Sequence, residues 1–384
     1  MEDEKAIRRH KLVYRLAKIF AAPAILAKYS YTTDDVPVTD YPCIIMANHT
    51  TEVDMLMVGS ACSKFMYFVC GEHLLRSKYA KLIVKYFDPI TEFKGAIGTG
   101  AVREILRRTK AGYNVMIFPE GSRSFNGETV PLSSSIGKLV KKSGAGLVTY
   151  HMQGGYFIAP RWAYTFRKGP ASGKVVHVYS PDDLKAMSVQ EVTDIINTDL
   201  YENAYDTQRK APQKYTGERL AEGIENYLLI CPECGAYDSL ESHGNEFSCT
   251  CCGKKAVYTE EGFLDGDFRY DSVYDWGKWV AEKFAQDQRG RDPSELLFTE
   301  TDVKLYKITP EHEQIDLMTG TMTVYSDRLE FEDKVFPFAE MPTVSMLYYG
   351  KTLLFTFDGT YYGITGEHFH ASKCSMLYDL YTKG

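Results

Sequence analysis

The chain is expected to fold as an α/β protein through its first half and as an all-β module near its end, with a small cysteine-rich module between. Three observations predict this. From Cys43 to about Ile195, short apolar runs alternate with helical patterns, the order that builds a sheet with flanking helices. Two Cys-x-x-Cys-Gly knuckles, Cys231-Pro232-Glu233-Cys234-Gly235 and Cys249-Thr250-Cys251-Cys252-Gly253, stand 14 residues apart. From about Leu296 the pattern changes to closely spaced strands with turn signals at Ser326-Asp327 and Asp358-Gly359, as in a meander of hairpins.

Composition sets the outer limits. A chain of 384 residues with 44% hydrophobic and 25% charged side chains can bury two or three cores. Its net charge of −7 gives no general attraction to nucleic acid or anionic lipid, so any such attraction must be local. Five of the nine cysteines lie between 231 and 252, and Cys43, Cys62, Cys70 and Cys374 are scattered. That is metal spacing and not a secreted disulfide framework, so a reducing cytosol is expected. No run of about 18 apolar residues and no signal-peptide pattern occurs, so nothing is expected to span the bilayer.

Taken in order, residues 5–29 open as a basic amphipathic helix. Arg8, Lys11, Arg15 and Lys18 share one stripe, and Leu12, Val13, Leu16, Ile19 and Phe20 share another. Such a helix can lie on an anionic bilayer or pack its stripe on a core; Pro23 should break or bend it. Cys43 to Ala47 reads as a strand, Lys64 to Cys70 as a second, and Leu74 to Phe87 as a basic helix. Gly100 to Lys110 and Gly137 to Ser143 read as helices; Val115 to Phe118, Gly146 to Met152 and Lys174 to Tyr179 read as strands. Tyr201 to Ala211 is polar enough for a loop, and Thr216 to Leu229 reads as a helix.

The residues with chemical potential begin at Asn48-His49-Thr50-Thr51-Glu52-Val53-Asp54, just after the first of these strands. A loop histidine with an acid five residues on can serve as a general base whose ring the acid orients. The same residues also read as Thr51 capping a helix with Asp54 three positions later. About seventy residues downstream, Val115-Met116-Ile117 runs into Phe118-Pro119-Glu120-Gly121-Ser122-Arg123-Ser124. An H-x4-D element followed at this distance by F-P-E-G-S-R-S resembles the glycerolipid acyltransferases, the lysophosphatidic acid acyltransferase superfamily. The resemblance covers residues from about 40 to 200.

The resemblance implies a glycerolipid-acyltransferase-like sheet and an O-acyltransferase that moves a fatty acyl group to the hydroxyl of a lysophospholipid. Acyl-CoA or acyl-carrier protein would be the donor. His49 would deprotonate the hydroxyl as it attacks the thioester carbonyl, with Asp54 orienting the ring and no acyl-enzyme formed. The segment with Glu120, Gly121, Ser122 and Arg123 would bind the acceptor: Arg123 its phosphate, Gly121 by close backbone approach, Glu120 by accepting from hydroxyls or fixing Arg123. An N–H near Gly121 is a candidate oxyanion donor. A surface ion pair with Glu120 or Glu128 is the other reading of Arg123. Two departures stand out. Lys94 replaces the usual arginine as second phosphate contact, giving a point charge without the fork. Leu147-Val148-Thr149-Tyr150 replaces a proline-containing strand, which puts the head group and the acyl pocket in doubt.

Cys231, Cys234, Cys249 and Cys252 supply four thiolates at a spacing that suits a closed tetrahedral structural Zn2+, with Cys251 the odd thiol. Only Lys254 and Lys255 form a basic cluster there, among several acids, so a folding clamp or protein contact is expected and not nucleic-acid binding. Asp271 to Gln288 reads as a linker helix and Ala371 to Tyr381 as a closing helix. Strands capped by one helix resemble a pleckstrin-homology or GRAM-like barrel. The expected organisation is membrane-associating helices over 1–29, an acyltransferase domain over 30–228, a zinc ribbon over 229–258, a linker helix over 259–294 and a PH/GRAM-like domain over 295–384. The competing function is a non-catalytic membrane or lipid-binding adaptor. A peripheral position on the cytoplasmic face of the membrane follows from the lipid substrate.

Overall fold

A computed structural model describes residues 4–92 and 98–383. The chain divides into two compact units: Met1–Pro160 with Arg167–Thr216, and Arg161–Phe166 with Gly217–Gly384.

The first unit is a seven-stranded sheet in the order β1-β7-β6-β2-β5-β3-β4, with β1 at Tyr31–Thr33, β2 at Cys43–Ala47, β3 at Met66–Gly71, β4 at Ile90–Glu92, β5 at Asn114–Ile117, β6 at Gly146–Gln153 and β7 at Ala171–Tyr179. The central pairings of β6, β2, β5, β3 and β4 are parallel, and β7 runs antiparallel to β6. Every residue of β2 and β5 is buried, which is why Cys43–Ala47 and Val115-Met116-Ile117 read as unbroken apolar runs and not as alternations. Met46 pairs with Ile117, and Ala47 with Tyr150. The loops leaving β2, β5 and β6 therefore emerge side by side at the carboxyl edge, where α/β sheets gather ligands.

The helices of this unit are α1 (Glu4–Leu16), α2 (Ala22–Lys28), α3 (Asp54–Ala61), α4 (Ala80–Phe87), α5 (Thr99–Lys110), α6 (Ser134–Ser143), α7 (Gly155–Ile158), α8 (Pro181–Ala186), α9 (Val189–Leu200) and α10 (Ala204–Lys210). Ile136 and Val140 of α6, Val192 and Ile196 of α9, and Ile105 of α5 close one core over Ile44 and Ile117. α9 starts in a capping box, Ser188 with Glu191, which satisfies two end groups reciprocally.

Four expectations change. Pro23 does not end the opening helix: a π turn, Ala17–Ala21, joins α1 to α2, and Pro23 follows it in the first turn of α2. Leu74 to Phe87 is not one helix but a 3-10 turn, Glu72–Arg76, followed by α4. Tyr201 to Ala211 is not a loop, because Asn203 accepts from the Tyr205 and Asp206 N–H groups and starts α10. Thr216 to Leu229 holds only the 3-10 turn Ile224–Asn226. Gly223 there has a φ of 95° and lies against the Trp162 carbonyl, a left-handed position that interrupts a helix.

The second unit contains a small antiparallel sheet in the order β11-β10-β9-β8, from β8 (Leu240–His243), β9 (Glu246–Cys249), β10 (Lys255–Tyr258) and β11 (Leu264–Gly266). Helix α11, Val273–Gln288, buries Trp276, whose Nε1 donates to the Ile230 carbonyl at 2.9 Å. A curled seven-stranded antiparallel sheet follows in the order β15-β14-β13-β12-β18-β17-β16. Its strands are β12 (Phe298–Ile308), β13 (Gln314–Val324), β14 (Arg328–Phe331), β15 (Lys334–Pro337), β16 (Val344–Leu347), β17 (Thr352–Phe357) and β18 (Thr360–Thr365). Register shifts between Glu300 and Val303 and between Leu305 and Tyr306 bend β12, the usual device for curling a sheet. Helix α12, Ala371–Lys383, covers it through Cys374 and Leu377.

Candidate active site

His49 lies two residues beyond β2, with its ring stacked on Phe118 at 4.2 Å and an interplanar angle of 10°. Its Nδ1 is 2.9 Å from Asp54 Oδ2, and its side chain is 21% exposed while that of Asp54 is fully buried. The buried carboxylate fixes the tautomer with the proton on Nδ1, leaving Nε2 as the accepting nitrogen.

Asp54 is held by more than the histidine. Oδ2 also accepts from the Thr50 and Thr51 N–H groups, and Oδ1 from both threonine hydroxyls, at 3.0 and 2.8 Å. The bonds of the expected cap are present, Thr51 Oγ1 accepting the Val53 N–H at 3.0 Å and Asp54 Oδ2 the Thr51 N–H at 2.8 Å, although the regular turns of α3 begin only at Asp54. The carboxylate faces back over the loop and gathers it around His49. One side chain thus organises the loop and orients the His49 ring.

Two further contacts tie this loop to its neighbours. Asn48 is fully buried; its Nδ2 donates to the Met152 carbonyl at 2.9 Å and its Oδ1 accepts the Met152 N–H at 2.7 Å. This two-way clamp to β6 is not among the roles expected from sequence, although it leaves a visible signal, a polar residue directly after an all-apolar strand. At the start of α7, a Cβ on Gly155 would collide with the hydroxyl and Cβ of Thr50. Gly155→Ala is expected to push Thr50, and through it Asp54, out of place. We expect kcat to fall at least ~10-fold with a stability loss of about 1–3 kcal/mol; unchanged steady-state kinetics and melting temperature would refute this.

Glu120 faces His49 from the loop after β5. Its Oε1 accepts the His49 N–H at 2.8 Å and its Oε2 the Val130 N–H at 3.4 Å. Burial pushes its carboxyl up to about 8; the two N–H donors oppose this and the Asp54 charge adds to it. The folded protein therefore binds a proton that the unfolded chain, titrating near ~4.3, has lost. This contribution to stability is full below the unfolded value and is lost as pH rises toward 8. Compared with Glu120→Gln, wild type should lose stability between about pH 5 and 8 in thermal melts. Parallel curves for the two proteins would contradict the shift.

The rest of the expected acceptor segment lies in the same turn. Gly121 has a φ of 67°, a conformation that favours glycine, and no protein atom lies within 4 Å of a built Cβ. Its N–H donates to the Phe118 carbonyl at 3.1 Å, which removes it as an oxyanion donor. Ser122 is half-buried in the same turn. Arg123 Nη2 reaches Glu52 Oε1 at 3.1 Å and Nη1 the Ala159 carbonyl at 3.4 Å, so Glu52 is an ion-pair partner that the sequence reading did not include. Lys94 lies outside the described residues. Thr149 and Tyr150 have structural partners: Thr149 donates to Asp199 at 2.7 Å, and the Tyr150 hydroxyl meets that of Tyr31 at 2.8 Å. An apolar cleft of about 130 Å3 opens beside Glu120, walled by Val130, Pro131, Leu132 and Leu200.

The stretch that builds this geometry is also the stretch that resembles known proteins. Residues 29–158 match the acyltransferase family model. The matched segment contains His49, Asp54, Glu120 and Arg123, and stops short of β7 and α9. A 1-acyl-sn-glycerol-3-phosphate acyltransferase from Brassica napus, the chloroplastic BAT2, is 25% identical over 164 residues, 40% of this chain and 45% of its own length. The match thus spans about half of that relative. The crystal structure of the 1-acyl-sn-glycerophosphate (LPA) acyltransferase PlsC from Thermotoga maritima aligns with a TM-score of 0.45 at 19% identity, over 55% of this chain and 84% of that one.

The four knuckle cysteines form a second cluster, in the other unit. The sulfurs of Cys231, Cys234, Cys249 and Cys252 lie within 4.8 Å of one another. Cys231 and Cys252 are 3.7 Å apart, and Cys234 and Cys249 are 3.8 Å apart. A tetrahedral ion with bonds of about 2.3 Å needs sulfurs roughly 3.8 Å apart, so the donors fit Zn2+ in number, kind and spacing. The N–H groups of Glu233 and Cys234 turn toward the Cys231 sulfur, and those of Cys251 and Cys252 toward Cys249. Gly235 and Gly253, both at a φ of 74°, permit each turn. Cys251 is exposed and outside the cluster.

Proposed function

We propose that the protein is an O-acyltransferase that moves a fatty acyl group from acyl-CoA or acyl-carrier protein to the hydroxyl of a lysophospholipid such as lysophosphatidic acid. The His49–Asp54 pair carries this reading, since a buried carboxylate on Nδ1 makes Nε2 the accepting nitrogen of the ring, inside a segment that matches the acyltransferase family model. The acceptor hydroxyl gives its proton to Nε2 as its oxygen attacks the thioester carbonyl. The tetrahedral intermediate collapses with loss of thiolate, which takes up the proton, and no acyl-enzyme forms. Glu120 takes part in acceptor binding, and the apolar cleft beside it receives part of an acyl chain. Arg123, and Lys94 by resemblance, supply positive charge for the acceptor phosphate.

The test is thiol release from acyl-CoA and acyl-carrier protein across a panel of lysophospholipids. Acceptor-dependent release is expected. If no pair of donor and acceptor turns over while vesicles still bind, the protein is an adaptor.

Membrane contact belongs to this reading. Among the described residues no helix is long and apolar enough to cross a membrane. On α1 and the π turn the apolar stripe faces outward, with Leu12 55%, Ile19 56% and Phe20 73% exposed, while His10 and Tyr14 face inward. Tyr14 donates to the Gly59 and Cys62 carbonyls. An unpacked apolar stripe flanked by Lys11 and Arg15 suits the headgroup region of an anionic bilayer. Replacing Ile19 and Phe20 by glutamate should weaken sedimentation with anionic vesicles at least ~10-fold. Equal binding by the variant would remove this helix from the membrane contact. In the second unit, Zn2+ on the four cysteines would clamp the small sheet, and the helix-covered curled sheet supports the PH/GRAM-like reading.

A further inference from the structure

Opposite Glu120, the crevice at His49 is bounded by a carboxylate that the reaction above does not use. Glu202 follows α9 and is 6% exposed. Its backbone is pinned to the loop after Glu120: its N–H donates to Thr129 Oγ1 at 3.0 Å, and its carbonyl accepts the Thr129 N–H at 2.9 Å. One side-chain oxygen, Oε2, lies 2.9 Å from His151 Nε2 and accepts from Gln153 Nε2 at 3.2 Å. Both of these partners come from the carboxyl end of β6. Among the described residues the other oxygen, Oε1, has no hydrogen-bond partner although it is buried.

A buried carboxylate oxygen without a donor is an incomplete site, because it has given up water and gained nothing in return. Glu202 lines the same crevice as His49, Glu120, Ser124 and Tyr156. That crevice measures about 10 Å3, space for one water-sized group. Its lining includes two carboxylates and no lysine or arginine. The lining offers no cation to a phosphate, whereas a hydroxyl supplies the donor that Oε1 lacks. The hydroxyl that His49 deprotonates has a single proton, which goes to Nε2. The group that completes Oε1 must bring its own.

We propose that Glu202 is a specificity-determining residue that accepts a hydrogen bond from a second hydroxyl of the acceptor, so that the preferred acceptors are lysolipids with a hydroxyl-bearing head group. This rests on the acyltransferase reading and narrows its substrate class, ranking lysophosphatidic acid, whose single alcohol is the one acylated, below acceptors with a hydroxylated head group. Glu202 touches the acceptor without exchanging protons in the reaction. The hydrogen bond from Gln153, with His151 in contact, holds Oε2 and leaves Oε1 as the oxygen that lacks a donor.

The experiment compares two acceptors alike except for the head-group hydroxyls: lysophosphatidylglycerol and its propyl phosphodiester counterpart. Wild type should favour the glycerol compound in kcat/KM by at least ~10-fold, since a buried acceptor left unpaired discriminates against the analogue that lacks the hydroxyl. In Glu202→Ala that ratio should fall to about one, mostly through KM for the glycerol compound. Glu202→Gln retains an accepting oxygen and should keep part of the preference. Because the readout is a ratio within one protein, a general loss of folding or activity does not imitate it. A wild-type ratio near one, or the wild-type ratio preserved in Glu202→Ala, would overturn the proposal; the latter would mean that water completes Oε1. If neither acceptor turns over with any donor, the acyltransferase reading fails by itself. Calorimetric binding of short-chain forms of the two lysolipids to wild type and Glu202→Ala then measures the same ratio, and the same two outcomes support or overturn the role of Glu202.

Discussion

Asp54→Asn is expected to lower kcat by ~10²–10⁴ with little change in acceptor KM. The asparagine keeps the shape of the side chain but can present only one oxygen where two now accept from His49 Nδ1, two N–H groups and two hydroxyls. Its NH2 must face a donor, and the imidazolium formed as the hydroxyl loses its proton has no counter-charge. The same change should destabilise the fold by on the order of 1–3 kcal/mol, since buried donors are left unpaired. Steady-state kinetics with a melting curve checks both effects. Wild-type kcat in a folded Asp54→Asn would show that the carboxylate only shapes the loop.

Removing the metal should have an effect as large, confined to the second unit. Structural zinc sites of four thiolates contribute roughly 10–16 kcal/mol of apparent free energy in small modules near neutral pH. Trp162, Trp276 and Trp279 are the three tryptophans of the chain, and all fall within the second unit. Trp276 packs against Phe247, two residues before Cys249, with ring centroids 5.4 Å apart. Chelation, or Cys231→Ser with Cys234→Ser, should release about one zinc per chain and shift tryptophan emission to longer wavelength. A metal content well below one per chain, or unchanged emission after both substitutions, would rule out a structural zinc.

Much of the fold and of the site is legible in the sequence, for identifiable reasons. Buried parallel strands are largely apolar, so β2 and the Val115-Met116-Ile117 run of β5 stand out, and the two motifs sit where β2 and β5 end. The cysteine knuckles are local patterns that fix their own geometry. What escapes a sequence reading depends on partners distant along the chain. Arg123 pairs with Glu52, 71 residues away, and Asn48 with Met152, 104 residues away. No local pattern indicates either. Gly121 is ambiguous because a positive φ and a close approach both select glycine, and only the surroundings tell them apart. Helix α10 is hidden because its cap, Asn203, lies inside a polar run where a loop is the simpler reading.

The proposed role of His49 as the proton acceptor is tested most directly by thiol release from acyl-CoA with a turned-over lysophospholipid, comparing wild type with His49→Ala. The substitution removes the ring's hydrogen bond to Asp54 and its stack on Phe118, so folding of the alanine variant is checked by its melting curve. Turnover is expected to fall by ~10²–10⁴ while vesicle binding is retained. Turnover by a folded His49→Ala equal to that of wild type would contradict the assignment.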